Sequence, residues 1–303
     1  MQINEKLLKR AKKKYVNSRF ALALIQANPT SDLIKGYKNT FYCSSVLKSD
    51  NGKATGTYCK NRWCIVCGAI RTGQLINGYL KQLEALNDAY FVTLTLPTVL
   101  VGDLSPRIKK MEEEWRKITD LALKSKRQNF QGVRKMECTI RPENKYHYHY
   151  HLIIDGKDNA EWLISQWLKR FPIADAQAQH YRKADNGSYI ELFKYFTKII
   201  SKVENKDRAL ANFERLDIIF RALAGKRTYQ PFGGLKKINE DIEADLHATI
   251  IPGSLEGKIW RWIQRDWVSE YGEVLTGFEP SEALQKLVRY CPDELPHKKL
   301  SEA

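Results

Sequence analysis

Residues Tyr146-His-Tyr-His-Tyr-His-Leu-Ile153 place histidines at 147, 149 and 151, three of the six in the chain. Such alternation predicts a strand, and a strand sends successive side chains to opposite faces. His147, His149 and His151 therefore share one face, and Tyr148, Tyr150, Leu152 and Ile154 share the apolar other. Three imidazoles on one face make a poor core surface but good ligands for a divalent cation. Counting by twos just upstream groups Val133, Lys135, Glu137 and Thr139 on one face of a neighbouring strand, with Met136, Cys138 and Ile140 on the other. Glu137 can then add a carboxylate oxygen to the same cation, and Thr93 and Thr95 are expected on the same polar face. A hard oxygen beside imidazoles, with positions left for a phosphate, suits Mn²⁺ or Mg²⁺.

A second constellation is Glu191-Leu-Phe-Lys-Tyr195-Phe-Thr-Lys198. The spacing i, i+4, i+7 aligns Glu191, Tyr195 and Lys198 on one helical face, while Leu192, Phe193, Phe196, Ile199 and Ile200 supply the buried one. Phenol, carboxylate and ammonium together suit phosphoryl transfer. Tyr195 can attack a metal-polarised phosphodiester, Lys198 can steady the charge, and Glu191 can serve as general base for a second, hydrolytic cleavage. Alone, this spacing favours an ordinary surface salt bridge from Glu191 to Lys194 or Lys198, with Tyr195 merely amphipathic. The histidine strand upstream is what favours chemistry.

The third group is Cys43, Cys59, Cys64 and Cys67, four of six cysteines. Four thiolates ending in Cys-x-x-Cys suit a closed, tetrahedral structural Zn²⁺ site better than a secreted disulfide framework or a redox pair lacking its βαβ setting. Lys60, Arg62 and Trp63 lie between the ligands and are candidate DNA contacts. Cys138 and Cys291 are expected to be buried apolar residues.

These groups need elements to hold them. A basic helix is expected from the run Lys6 to Lys14 through Ile25, ending near Asn28-Pro29. Its short apolar stretch and long cationic run do not fit a signal peptide, and no apolar run reaches the ~20 residues of a membrane span. An amphipathic helix is predicted from about Thr72 to Leu86. A strand is predicted over Phe91–Pro97, then a helix capped by Ser105 with Pro106 in its first turn. Strands follow over 133–141 and 147–154 around the turn Pro142-Glu-Asn144, then a helix over 161–168, a weaker strand over 176–182, and a helix from Tyr189 to Val203. The order predicts an α+β fold, with an antiparallel sheet of about five strands covered by helices on one face. The expected divisions are a basic helical arm (1–36), the four-cysteine zinc segment and connecting helix (37–88), a catalytic core (89–203) and a mostly helical C-terminal region (204–303). Trp260, Trp262 and Trp267, interleaved with Lys258, Arg261 and Arg265, are read as core in preference to base-stacking residues. With 50 Lys and Arg against 35 Asp and Glu, a net charge of +15 points to a polyanionic partner. Cysteine usage points to the cytoplasm.

His149-Tyr150-His151 resembles the His-hydrophobic-His motif of the HUH endonucleases. Phe91-Val-Thr-Leu-Thr-Leu-Pro97 looks like the first motif of plasmid rolling-circle Rep proteins, and Tyr195-Phe-Thr-Lys198 is similar to their Tyr-x-x-Lys motif. The three occur in Rep order, with the tyrosine last, over roughly residues 43 to 235. The spacing of Glu191 and Tyr195 further resembles the single-tyrosine, single-glutamate subgroup, and Gly225-Lys226-Arg227 resembles a stretch that follows its nuclease core. The departure is tyrosine at 148 and 150, where the family has proline and an aliphatic or phenylalanine residue. The resemblance implies an HUH, ferredoxin-like nuclease core that nicks the plus origin through Tyr195. The products are a 5′-phosphotyrosine and a 3′-hydroxyl primer, and Glu191-directed hydrolysis ends the cycle. It also implies a zinc segment and Lys194 as DNA contacts, and a host helicase and polymerase as partners. The alternatives are an HUH transposase or relaxase, and an inactive zinc-finger DNA-binding regulator.

Overall fold

A computed structural model describes residues 5–50, 53–193, 206–238 and 257–294. In chain order it contains α1 (Glu5–Ala27), α2 (Ile34–Tyr42), β1 (Val46–Asp50), β2 (Lys53–Gly56), α3 (Ile65–Glu84) and β3 (Ala89–Thr95). There follow α4 (Val101–Lys124), β4 (Gly132–Arg141), β5 (Lys145–Asp155), α5 (Lys157–Arg170), β6 (His180–Lys183) and α6 (Asn186–Phe193). The chain continues through α7 (Lys206–Ala222), β7 (Tyr229–Phe232), β8 (Ile259–Ile263), β9 (Asp266–Ser269) and α8 (Glu282–Val288). Two compact units result: Met1–Thr72 with Tyr195–Asp217 and Glu240–Ala303, and Gly73–Lys194 with Ile218–Asn239.

The second of these units holds an antiparallel five-stranded sheet of order β6-β3-β5-β4-β7, as the α+β expectation required. The histidine strand β5 is its centre. The turn after β4 puts Glu143 and Asn144 at φ of 58° and 55°, which reverses the chain tightly and sets the β4–β5 register. Tyr148, Tyr150, Leu152 and Ile154 are all buried on one face. There Tyr150 meets the ring edges of Trp115 from α4 (6.0 Å between centroids) and Trp167 from α5 (5.7 Å). Arg134 lies over the same tyrosine at 4.3 Å and donates to Gln230 Oε1 at 2.7 Å. The tyrosines that depart from the family pattern are thus core residues aimed away from the histidines.

Helix α4 begins at Val101, ahead of the expected Ser105 cap, and Pro106 falls inside it. The cause is Leu104, whose buried side chain extends the stripe Ile108, Met111, Trp115 and Ile118 toward the N-terminus. Pro106 forfeits a single backbone bond near the helix start. The weak strand expected over 176–182 is a short 3₁₀ turn, Ala176–Ala178, followed by β6.

In the other unit a sheet of order β2-β1-β8-β9 forms beside α1 and α2. Among the described residues from 204 on, expected to be mostly helical, α7 and α8 are accompanied by the short strands β7, β8 and β9. Ile259-Trp-Arg-Trp-Ile263 alternates over only five residues, and its hairpin turn carries no glycine or asparagine; Gln264 takes the left-handed conformation at φ 51°. Trp260 and Trp267 are fully buried core residues, and the half-buried Trp262 packs its edge on Trp267 at 4.7 Å. The described helices include none long and apolar enough to cross a membrane.

Candidate functional site

Register brings the predicted cation ligands together. On β5, His149 pairs with Glu137 of β4 and with Thr95 of β3, while His151 pairs with Lys135 and Thr93. One ligand atom from each of Glu137, His149 and His151 lies within 4.8 Å of the others. The Nε2 atoms of the two histidines are 3.1 Å apart, close to the ~3.0 Å between adjacent ligands of an octahedral cation with bonds of ~2.1 Å. Glu137 Oε2 is 3.8 Å from His151 Nε2. The far ring nitrogens are also engaged. With Nδ1 protonated, His151 donates to Thr93 Oγ1 (3.1 Å) and His149 to the His147 carbonyl (3.3 Å). Both Nε2 lone pairs then face the ligand cluster. Such a donor set can hold a divalent metal ion.

Burial pushes His149 and His151 down to about 4, so both are neutral and able to ligate at neutral pH. Burial disfavours ionisation of Glu137, yet the Lys135 ammonium 2.9 Å from Oε2 outweighs it and holds the carboxyl below its usual range. Lys135, itself nearly buried, was placed on this face by the sequence but given no role; counting back from the β4–β5 turn opposes it to His151.

His147 stands apart from the three-ligand cluster. Its Nε2 is hydrogen-bonded with Thr95 Oγ1, its Nδ1 faces Arg141 at 3.3 Å, and its ring stacks on His149 at 4.9 Å. Burial pushes it down to about 4 as well.

Helix α6 lies on the same face of the sheet. Its Phe193 packs on Tyr229 (5.6 Å), which pairs with Lys135 across the β4–β7 ladder. Glu191 is exposed and sits 3.6 Å from Arg182, whose guanidinium covers Phe91 at 5.0 Å; the Phe91 ring is 5.3 Å from His151. Lys194, Tyr195 and Lys198 lie outside the described residues.

The cysteines form a second centre. One sulfur from each of Cys43, Cys59, Cys64 and Cys67 lies within 4.8 Å of the rest, with Cys43–Cys67 at 3.5 Å and Cys59–Cys67 at 3.8 Å. A tetrahedron with ~2.3 Å metal–sulfur bonds has edges of about 3.8 Å, so the four sulfurs fit one metal ion. Cys43 follows α2, and Cys64 and Cys67 flank the start of α3, where the Cys67 N–H points at Cys64 Sγ (3.4 Å). Burial pushes the Cys64 thiol well up. Burial also pushes the Lys14 ammonium down, to about 8, against the opposing pull of Cys43, Cys64 and Cys59.

Among the candidate DNA contacts here, Lys60 is exposed and Arg62 half-buried. Trp63 serves packing, since its Nε1 donates to Thr40 Oγ1 (3.1 Å), its ring edge meets Tyr37 (5.5 Å), and Gly36 leaves room for it.

A family model described as "Replication protein" matches residues 52–159. That span contains the whole Glu137–His149–His151 cluster and three of the four clustered cysteines, and it ends before Glu191. A curated "Protein rep" of Staphylococcus aureus is 30% identical over 173 residues, covering 50% of this chain and 74% of the relative. A "Protein rep" of Lentilactobacillus hilgardii is 26% identical over 222 residues, covering 62% and 69% respectively. No solved structure matches the chain. The chain belongs to the Rep replication-protein family, the plasmid rolling-circle initiators whose motifs its sequence carries.

Proposed function

We propose that this protein starts rolling-circle plasmid replication as a metal-dependent, HUH-type endonuclease that nicks one strand of the plus origin. The observation that carries this is the convergence of Glu137, His149 and His151 on one sheet face in a Rep-family chain. Mn²⁺ or Mg²⁺, when bound there, supplies polarisation of the scissile phosphate and stabilisation of the departing 3′ oxygen. Tyr195 supplies the attacking oxygen and becomes the 5′-phosphotyrosine, and the freed 3′-hydroxyl primes synthesis. Lys198 steadies the phosphate charge. Glu191, borne on the helix that covers the site face, directs water at the second cleavage and ends the cycle. His147 supports the ligands through its backbone carbonyl and its stacked ring.

The cysteine centre takes Zn²⁺ as a structural ion, and Lys60, Arg62, Trp63 and Lys194 contribute to DNA binding. The partners are origin DNA, single-stranded or extruded at the nick, and a host helicase and polymerase, in the cytoplasm. The test is strand cleavage of a single-stranded origin oligonucleotide with Mn²⁺. His149→Ala and His151→Ala are expected to lose at least ~100-fold in rate, while His147→Ala keeps most of it. Specific binding by wild type without any cleavage would favour an inactive DNA-binding regulator.

A further inference from the structure

Lys14 on α1 is fully buried, and among the described residues no carboxylate pairs with it. Its Nζ donates to the Phe41 carbonyl at 2.6 Å and to Ser45 Oγ at 2.8 Å, so it grips the chain on either side of Cys43. The rings of Phe41 and Trp262 lie 5.8 and 5.9 Å from it. One helical turn on, Asn17 is equally buried. Its Nδ2 donates to the Thr40 carbonyl at 2.8 Å and its Oδ1 accepts from the Ile65 N–H at 2.9 Å, next to Cys64. One face of α1 therefore holds both segments that carry the clustered cysteines.

A buried ammonium is strongly unfavourable unless an opposite charge balances it. Carbonyl and hydroxyl oxygens solvate it but supply no charge. A Zn²⁺ ion bound by four thiolates does, because such a centre remains net negative by two charges. We propose that Lys14 is the built-in counter-cation of the loaded cysteine centre, which makes α1 an integral part of the metal site. This rests on the reading of the four cysteines as zinc ligands. It gives the buried end of the basic N-terminal run a structural role at the cysteine centre.

The test is Zn²⁺ competition against a chromophoric chelator on the full-length protein, with thermal melts of the Zn²⁺-loaded and chelator-stripped forms. Lys14→Met keeps the aliphatic stem and removes the charge. The expected result is Zn²⁺ affinity weakened roughly 10–100-fold, a lower melting temperature for the loaded form, and a stripped form that melts no lower than wild type. Lys14→Gln, which retains a donor for the Phe41 carbonyl, is expected to show the same loss. Unchanged Zn²⁺ affinity in either folded variant overturns the proposal, as does an equal fall in stability of loaded and stripped forms. Wild-type protein that takes up no Zn²⁺ would instead refute the four-cysteine reading itself.

Discussion

Thr93 offers a sensitive probe of the candidate cation site because its hydroxyl bonds a proposed ligand. Its hydroxyl lies 3.1 Å from His151 Nδ1 and fixes the ring so that Nε2 faces His149 and Glu137. Thr93→Val keeps the branched shape on β3 and removes that partner. Losing an outer-shell hydrogen bond of this kind costs roughly 10–100-fold in metal affinity, about 1.4–2.8 kcal/mol. Phe91 still leans on the ring at 5.3 Å, which favours the lower end, near tenfold. Thr93 is only half-buried, so global stability should change by less than about 1 kcal/mol. Thr95→Val is the internal control. It removes the partner of His147, outside the ligand cluster, and should leave Mn²⁺ affinity within roughly twofold of wild type. Free Mn²⁺ measured by electron paramagnetic resonance during a titration reads both variants directly. Wild-type affinity in Thr93→Val would refute this account of the site. A larger loss in Thr95→Val than in Thr93→Val would move His147 into the coordination sphere.

Three further outcomes are expected. Glu114 on α4 bonds Lys117 (2.8 Å), Lys110 (2.9 Å) and, from α5, Arg170 (3.1 Å); burial opposes its ionisation, but these cations hold the carboxyl at about 2. A carboxyl depressed in the folded state stabilises above the unfolded carboxylate range and loses that contribution as pH falls from about 4.5 toward 2. Denaturant titrations should therefore show Glu114→Gln less stable by about 1–3 kcal/mol at pH 7, with the gap closing in acid; a gap independent of pH would contradict this. Gly132→Ala puts a methyl group into the Ile153 carbonyl oxygen at the β4–β5 pairing and close to the Phe232 ring, and should cost about 3 kcal/mol or more by thermal melt. Glu191→Ala should nick at near wild-type rate yet fail to release the finished circle, read as persistent covalent product on denaturing gels; normal release would remove the glutamate from termination.

The Glu137–His149–His151 cluster was legible because its signal is local. Strand alternation alone separates His149 and His151 from Tyr148 and Tyr150, and the turn at 142–144 brings Glu137 opposite His149. The roles of Lys135 and Thr93 required cross-strand register, which alternation does not supply until the turn residues are placed. Hidden more deeply were Lys14 and Asn17. A run of lysines reads as solvated face, and only the packing of α1 against α2 shows which of them is interior. The strands β8 and β9 were missed because a five-residue alternation with a Gln264-Arg265 turn lacks both length and turn chemistry. Leu104 misplaced the start of α4 for a related reason, since the Ser105-Pro106 cap signal is stronger locally than one more apolar residue.

The central claim, a strand-nicking tyrosine fed by this cation site, is tested most directly by trapping the covalent product. Single-stranded oligonucleotides tiled across the DNA flanking the gene, labelled at the 3′ end, are incubated with the full chain and Mn²⁺ and resolved under denaturing conditions. One oligonucleotide should give a protein–DNA adduct in wild type, lost with chelator and lost in Tyr195→Phe. An adduct that persists in Tyr195→Phe would contradict the assignment.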